Sequence, residues 1–188
     1  MRHLTTDELT AGLDEVRRSP SDCGRVELIV SRPTPGARAL LDEARLDLTV
    51  GLVGDTWSSR GSRVTADGAS HPDMQLTLMN ARAAALIADG QERRALAGDQ
   101  LYVDLDLSGD NLPPGTRLAL GTAVIEITAE PHRGCAKFRD RFGVDAVRFV
   151  NSPVGLALNL RGVNAKVVRA GTVRVGNTVQ RVSTSVEA

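Results

Sequence analysis

The 188-residue chain has few aromatic residues, and its charges of opposite sign cancel. One Trp, one Tyr and three Phe leave a core that must come mainly from Leu, Val, Ile and Ala. They also offer few rings on which single-stranded nucleic acid could stack its bases. The 23 basic and 23 acidic residues give a net charge of zero, so no bulk field attracts nucleic acid or a membrane surface. We therefore expect neither nucleic acid nor a membrane as a partner.

Cysteines and long hydrophobic runs are also scarce. No apolar run is long enough to span a bilayer, and the first ten residues, MRHLTTDELT, lack the apolar segment of a signal peptide. The two cysteines, Cys23 and Cys135, could pair, but nothing else in the sequence indicates a disulfide-stabilised secreted scaffold. We predict a cytoplasmic protein in which both thiols are reduced.

The length and the hydrophobic content of 41% suit one domain with a single core. We predict one domain over residues 1–188, with a core from about residue 26 to residue 182. Thr5 and Glu8 form a capping-box pattern, and Leu9, Leu13 and Val16 follow at helical spacing. Residues 1–22 are therefore predicted to form a helical extension.

The rest of the pattern predicts about seven to nine short strands and a few short helices. Gln100–Leu107 is the clearest strand, because apolar residues alternate there with Gln100, Tyr102, Asp104 and Asp106. Other strands are predicted at Val26–Val30, Leu48–Val53, Gln75–Met79, Arg117–Thr128 and within Leu156–Val182. Helices are predicted at Ala37–Leu46, Ala81–Ala88, Ala136–Phe142 and Val144–Val150, and a long loop at residues 58–73. This combination predicts a β-rich α+β fold with a barrel-like mixed sheet.

Cys135 is the strongest candidate for chemistry. It lies in the segment with the highest density of cationic side chains, which favour the thiolate form of cysteine. A thiolate can act as a nucleophile, carry a persulfide or bind a soft metal, whereas many free cysteines are buried and inert. His132 could serve as a general acid or base, or be an ordinary loop histidine. The flanking cationic residues are His132, Arg133, Lys137, Arg139 and Arg141.

Two other polar segments suggest ligands. The loop from Ser58 to Arg63 could bind a phosphate through backbone N–H groups and two guanidinium groups, although a solvated loop would have the same composition. Asp104, Asp106 and Ser108 superficially match a calcium loop. Gly115 stands where such a loop requires a glutamate, so we expect no calcium site.

Several fragments together resemble the MOSC domain, the family related to the C-terminal part of molybdenum cofactor sulfurase. The match runs in order from about Val26 to Asn177 and includes the only cysteine of that region. Its fragments are Gly51-Leu-Val-Gly54-Asp55, Gln75-Leu-Thr-Leu, Ala97-Gly98-Asp99, Gly109-Asp110-Asn111-Leu112, Gly115 to Gly121, His132-Arg-Gly-Cys135-Ala-Lys137-Phe, Arg161-Gly162-Val163 and Gly171 to Gly176.

The resemblance implies a barrel-like core and a cysteine that coordinates the metal of molybdenum cofactor (molybdopterin). Cys135 would be that ligand, and the substrate would be an N-hydroxylated small molecule that the protein reduces. His132 or Asp110 could supply protons. The residues that could contact the pterin or its phosphate are Arg133, Lys137, Arg161, Asn111 and the loop from Ser58 to Arg63.

The resemblance also sets limits on cofactors and partners. The chain has no pyridoxal-phosphate desulfurase domain, so no Schiff-base lysine is assigned, and it has no ferredoxin-like cysteine cluster. A separate protein would have to donate electrons or sulfur. A persulfide-type sulfur carrier acting through Cys135 remains an alternative, as does a non-catalytic binding module that retains the fold. Exposed edge strands could pair two copies into a homodimer.

Overall fold

Most of the regular structure is β-sheet. The structure, a computed structural model, describes residues 2–62 and 65–182. Among these residues the strands are β1 (Cys23–Ser31), β2 (Ala39–Leu41), β3 (Glu43–Asp47), β4 (Gly51–Leu52), β5 (Leu76–Asn80), β6 (Leu101–Asp104), β7 (Arg117–Leu120), β8 (Ala123–Ile127), β9 (Val163–Arg169), β10 (Gly171–Arg174) and β11 (Thr178–Arg181).

Seven strands close into a mixed β-barrel, which confirms the predicted fold class. Their order is β11-β7-β8-β9-β5-β6-β1, and β1 pairs back with β11 to complete the ring. β5 and β6 run parallel, with Leu78 opposite Leu101, while the other barrel pairs are antiparallel. β2 extends the sheet beyond β1, and β10, β3 and β4 form a second, three-stranded sheet. Closure removes the exposed sheet edges that an open arrangement of these strands would leave.

Short helices cover one side of the barrel. The N-terminal extension is helical as predicted, with the Thr5–Glu8 capping box formed. None of the helices in the described residues is long and apolar enough to cross a membrane. The helices are α1 (Thr6–Ala11), α2 (Leu13–Arg17), α3 (Trp57–Arg60), α4 (Ala81–Ala88), α5 (Ala136–Phe142), α6 (Val144–Val150) and α7 (Pro153–Ala157), with 3₁₀ turns at Pro72–Met74 and Arg94–Ala97.

Two hydrophobic cores result from this arrangement. One contains apolar residues of the barrel strands, such as Leu101 and Val103, with Leu46 from the small sheet. The other lies between the barrel and the helices and contains Tyr102 and Phe138. The barrel strands β5 and β6 are therefore covered on both faces, and the buried aromatic residues of α5 belong to the core between the barrel and the helices.

Three predicted segments differ from the structure. The predicted helix Ala37–Leu46 is wrong, because these residues form β2 and β3, which pair with β1 and β10. The predicted strand Leu48–Val53 shrinks to β4. The alternation in Gln100–Leu107 predicted that Tyr102 lies on a polar face, but Tyr102 is fully buried because helices cover the outer face of β6.

Candidate functional site

Cys135 lies at the start of α5, in the segment that leads from the end of β8 to the helix layer. It is the N-cap residue of α5, with extended backbone angles of φ −121° and ψ 179°. The thiol is exposed and free, and it makes no capping hydrogen bond. Phe138, one turn later, is buried against the barrel. The helix is therefore anchored while the thiol at its beginning remains accessible.

Asn151 fixes the peptide group that precedes Cys135. Its Oδ1 accepts a hydrogen bond from the Gly134 N–H at 3.0 Å, and its Nδ2 donates to the Gly134 carbonyl at 3.1 Å. A Cβ at position 134 would lie 2.8 Å from Val150 Cγ2 and 3.1 Å from Asn151 Nδ2, so this approach requires glycine. The position of Cys135 is thus set on one side by a side-chain amide and on the other by α5.

Removal of this amide should loosen the segment. Asn151→Ala deletes two hydrogen bonds, so we expect a loss of about 1–3 kcal/mol in the free energy of unfolding and faster hydrogen exchange at the Gly134 amide. Asn151→Asp keeps the acceptor for Gly134 N–H and should retain part of the protection. Unchanged exchange at Gly134 in Asn151→Ala would show that the two hydrogen bonds do not hold this segment.

His132 faces a buried ion pair. Its Nδ1 lies 3.5 Å from Oδ1 of Asp99, whose other oxygen accepts a hydrogen bond from Arg161 Nη1 at 2.6 Å. Arg161 also donates to the Ala97 carbonyl at 3.0 Å, and its guanidinium carbon lies 4.9 Å from the centre of the Phe138 ring. Asp99 has no exposed surface. Of the predicted site residues, His132 and Arg161 are therefore brought together, with Asp99 between them.

His132 is neutral at physiological pH. Burial lowers the pKa of its imidazole to about 4, and the positive charges of Arg161 and Arg32 add to this effect while Asp99 opposes it. A group with this pKa carries no proton to donate from an imidazolium at pH 7. The ring can still accept or donate a hydrogen bond as a neutral group.

Four guanidinium groups surround the peptide segment 96–99, and we name Arg32, Arg38, Arg141 and Arg161 the arginine cluster. Arg32 donates to the Gly98 carbonyl at 3.1 Å, Arg141 to the Leu96 carbonyl at 2.6 Å and Arg161 to Ala97 as described. Gly98 has a positive φ of 95°. A Cβ there would lie 3.1 Å from Arg38 Nη2 and 3.4 Å from Arg141 Nη1, so these two guanidinium groups approach the same glycine.

Buried carboxylates neutralise only part of this cluster. Asp55 forms a two-pronged ion pair with Arg32, with nitrogen–oxygen distances of 2.7 and 2.8 Å, and Asp99 pairs with Arg161. In the described part of the chain no carboxylate pairs with Arg38 or Arg141. Arg38 Nε is buried and has no hydrogen-bond partner among the described residues. Burial, with the charges of Arg141 and Arg32, lowers the pKa of Arg38. The cluster therefore has unused capacity for an anion.

The remaining predicted residues are scattered around this centre. Arg133 and Lys137 are exposed beside Cys135 and form no ion pair within residues 2–62 and 65–182. The Asn111 amide donates to the carbonyls of Ser21 and Asp106, both at 2.8 Å, and Asp110 is exposed.

The polar loop from Ser58 to Arg63 approaches the cluster at one residue. Burial lowers the pKa of Arg60, and the charge of Arg32 lowers it further, so Arg60 lies within electrostatic reach of the arginine cluster. Arg63 is outside the described residues. The phosphate-binding role of this loop stays a prediction.

Sequence reasoning named Arg141 and Arg161 but missed Arg32, Arg38 and the clamp at Asn151. Arg32 and Arg38 lie in a segment far from Cys135, and no local spacing connects them to it. Asp55 and Asp99 did carry a signal, because each follows a glycine and is an acidic residue that ends an apolar stretch. Both Gly-Asp pairs occur in the fragments that resemble the MOSC domain, but the ion pairs they form depend on the closed barrel.

The backbone has the same fold as several solved structures. YuaD from Bacillus subtilis gives a TM-score of 0.62 at 17% identity, covering 85% of this chain and 95% of that one. YiiM from Escherichia coli gives 0.55 at 21% identity over 85% and 70% of the two chains. YiiM from Geobacillus stearothermophilus gives 0.57 at 13% identity over 88% and 78%. No family model and no curated protein matches the sequence. YuaD and YiiM are MOSC-domain proteins, so the fold is MOSC-like.

Proposed function

We propose that this protein binds molybdenum cofactor through the thiolate of Cys135 and reduces N-hydroxylated small molecules. The observation that carries the proposal is the arrangement along α5. An exposed, unpartnered thiol begins the helix, and Arg141 of the incompletely neutralised cluster lies about 9 Å further along its axis. A soft ligand and an anion-binding group are thus available on one rigid element.

The residues fit the chemistry of such a cofactor. A thiolate is a suitable ligand for a soft metal, and guanidinium groups bind phosphate oxygens through paired hydrogen bonds. Arg38 and Arg141 would hold the cofactor's phosphate, because they have no carboxylate partner in the described residues. Arg161 is engaged with Asp99, so we assign it to support His132.

The reaction requires electrons that a separate donor protein would supply. When bound, the cofactor supplies two-electron redox chemistry at its metal. Reduction of an N–OH group takes two electrons and two protons, breaks the N–O bond and releases water, leaving an N–H group on the product. Since His132 is neutral, we assign it to contact with the substrate rather than to proton donation. The protons would come from solvent.

Metal content tests the proposal directly. Protein purified from a host that makes molybdenum cofactor should contain molybdenum in stoichiometric amount, and Cys135→Ala should reduce it to background. Cys23→Ser is the matched control, because Cys23 is the other exposed thiol and should leave the molybdenum content unchanged. Absence of molybdenum from the wild-type protein, or equal content in Cys135→Ala, would refute the proposed role.

A sulfur carrier is the second candidate function. The exposed cations Arg133 and Lys137 flank the thiol without carboxylate partners in the described residues, and they would stabilise a persulfide anion on Cys135. The mass of one added sulfur atom on the Cys135 peptide, in protein without molybdenum, would favour this function. An unmodified and metal-free Cys135 would contradict both candidates.

A further inference from the structure

A cleft of about 240 Å³ opens beside His132. Its walls come from the loop after β6, from the segment after β8 and from the start of β9. Its volume is below the range of about 300–1,000 Å³ that holds drug-sized ligands, so only a small molecule fits. Among the described residues, Glu130 is the only charged side chain in the lining besides the titratable His132, and no lysine or arginine contributes. The lining therefore favours an uncharged ligand over an anion.

The edge of the His132 ring that reaches the cleft can be identified. The side chain is 14% exposed, whereas Nδ1 is buried on the Asp99 side. Nε2, on the opposite edge of the imidazole, has no hydrogen-bond partner among the described residues and is not buried, so it belongs to the exposed surface. His132 thus separates the buried Asp99–Arg161 pair from the cleft.

The proton on the ring can be placed by its buried neighbour. Nδ1 of His132 and Oδ1 of Asp99 are both buried without a hydrogen-bond partner, and they lie 3.5 Å apart. The negative charge of Oδ1 attracts a proton on Nδ1, whereas a lone pair on Nδ1 would face a carboxylate oxygen and be repelled by it. The Nδ1–H form is therefore favoured. A neutral ring with this proton carries a lone pair on Nε2.

We propose that the cleft is a binding site for a small uncharged molecule that donates an N–H or O–H hydrogen bond to Nε2 of His132. An N-hydroxylated compound has such a donor, and its identification as the substrate rests on the proposed function. Binding itself requires only His132, Asp99 and the cleft. A ligand with acceptors alone would leave Nε2 without a partner, and the site should discriminate against it.

The first test determines which nitrogen of the His132 imidazole carries the proton. Nitrogen NMR of the imidazole in metal-free wild-type protein at pH 7 should show a protonated Nδ1 and an unprotonated Nε2. A protonated Nε2, or an imidazolium, would overturn the proposal. This measurement needs neither a variant nor the cofactor.

A matched pair of probes is the second test. Acetohydroxamic acid carries N–H and O–H donors, and N-methoxy-N-methylacetamide keeps the acceptors without a donor. The first should shift the Nε2 resonance of His132 and bind roughly tenfold more tightly than the second, as expected for one hydrogen bond. His132→Phe should abolish this preference, and His132→Gln, which offers an amide oxygen as acceptor, should retain part of it. Equal binding of both probes, or binding of neither, would overturn the proposal.

The two proposals can fail separately. If the protein bound no molybdenum but still preferred the donor probe, the proposed cofactor would be refuted and the proposed binding site in the cleft would stand. If the protein bound molybdenum stoichiometrically but showed no preference between the probes, the proposed binding site would be refuted and the proposed cofactor would stand.

Discussion

Asp55→Asn should lower the free energy of unfolding by about 3–5 kcal/mol, because it leaves a buried guanidinium without its partner. Asp55 is 9% exposed. Its carboxylate accepts the Arg32 side chain and the backbone N–H groups of Arg32 and Trp57, both at 2.9 Å. Burial disfavours its charge, yet Arg32 and these N–H groups outweigh burial and lower the pKa of Asp55. An amide would turn a donor toward groups that are themselves donors.

A double variant tests why Asp55→Asn loses stability. If the cost comes from an unpaired buried charge, Arg32→Met introduced into Asp55→Asn should recover part of it. Asp14→Asn is the control, since it breaks the exposed Asp14–Arg17 pair and should cost less than about 1 kcal/mol. Denaturant unfolding of all four proteins measures these values. If Asp55→Asn were as stable as Asp14→Asn, the Arg32–Asp55 ion pair would not stabilise the folded protein as we expect.

The elements that the sequence predicted well are stabilised locally. Asn80 caps α4 by accepting from the Ala83 N–H at 2.9 Å, and the predicted bounds Ala81–Ala88 match the helix. The predicted bounds of α5 and α6 also match, because Gly143 separates them. In each case the residues that determine the helix lie within one or two turns of it.

The elements that the sequence did not predict depend on strands that are far away along the chain. Residues 37–46 have the spacing of a short helix, but β2 gains its hydrogen bonds from β1 and β3 gains its own from β10. Pairing across such separations overrides local preference. The candidate site shows the same division. Cys135 and His132 were visible in one segment, whereas Arg32, Asp99 and Arg161 meet only because the barrel closes.

Stability should fall as the pH falls from about 7 toward 4, and His132 should account for about 3 kcal/mol of this loss. In the unfolded chain a histidine takes up a proton near pH 6.5. In the folded protein, burial and the charge of Arg161 keep the pKa of His132 at about 4. Between these values the unfolded state binds the extra proton, so protonation favours unfolding. The loss begins as the pH drops through 6.5 and levels off near 4.

His132→Gln isolates this contribution, because glutamine does not titrate. Urea unfolding of wild-type and variant protein between pH 8 and pH 4.5 gives the difference in stability at each pH. We expect that difference to be constant above about pH 7.5 and to shift against the wild type below pH 6.5. His3 and His71, also present in both proteins, cancel in the comparison. Parallel curves over the whole range would mean that His132 accepts its proton as readily in the folded protein as in the unfolded chain. Burial beside Arg161 would then not lower the pKa of His132, and part of the protein would carry an imidazolium at pH 7, with no lone pair on Nε2 for a ligand.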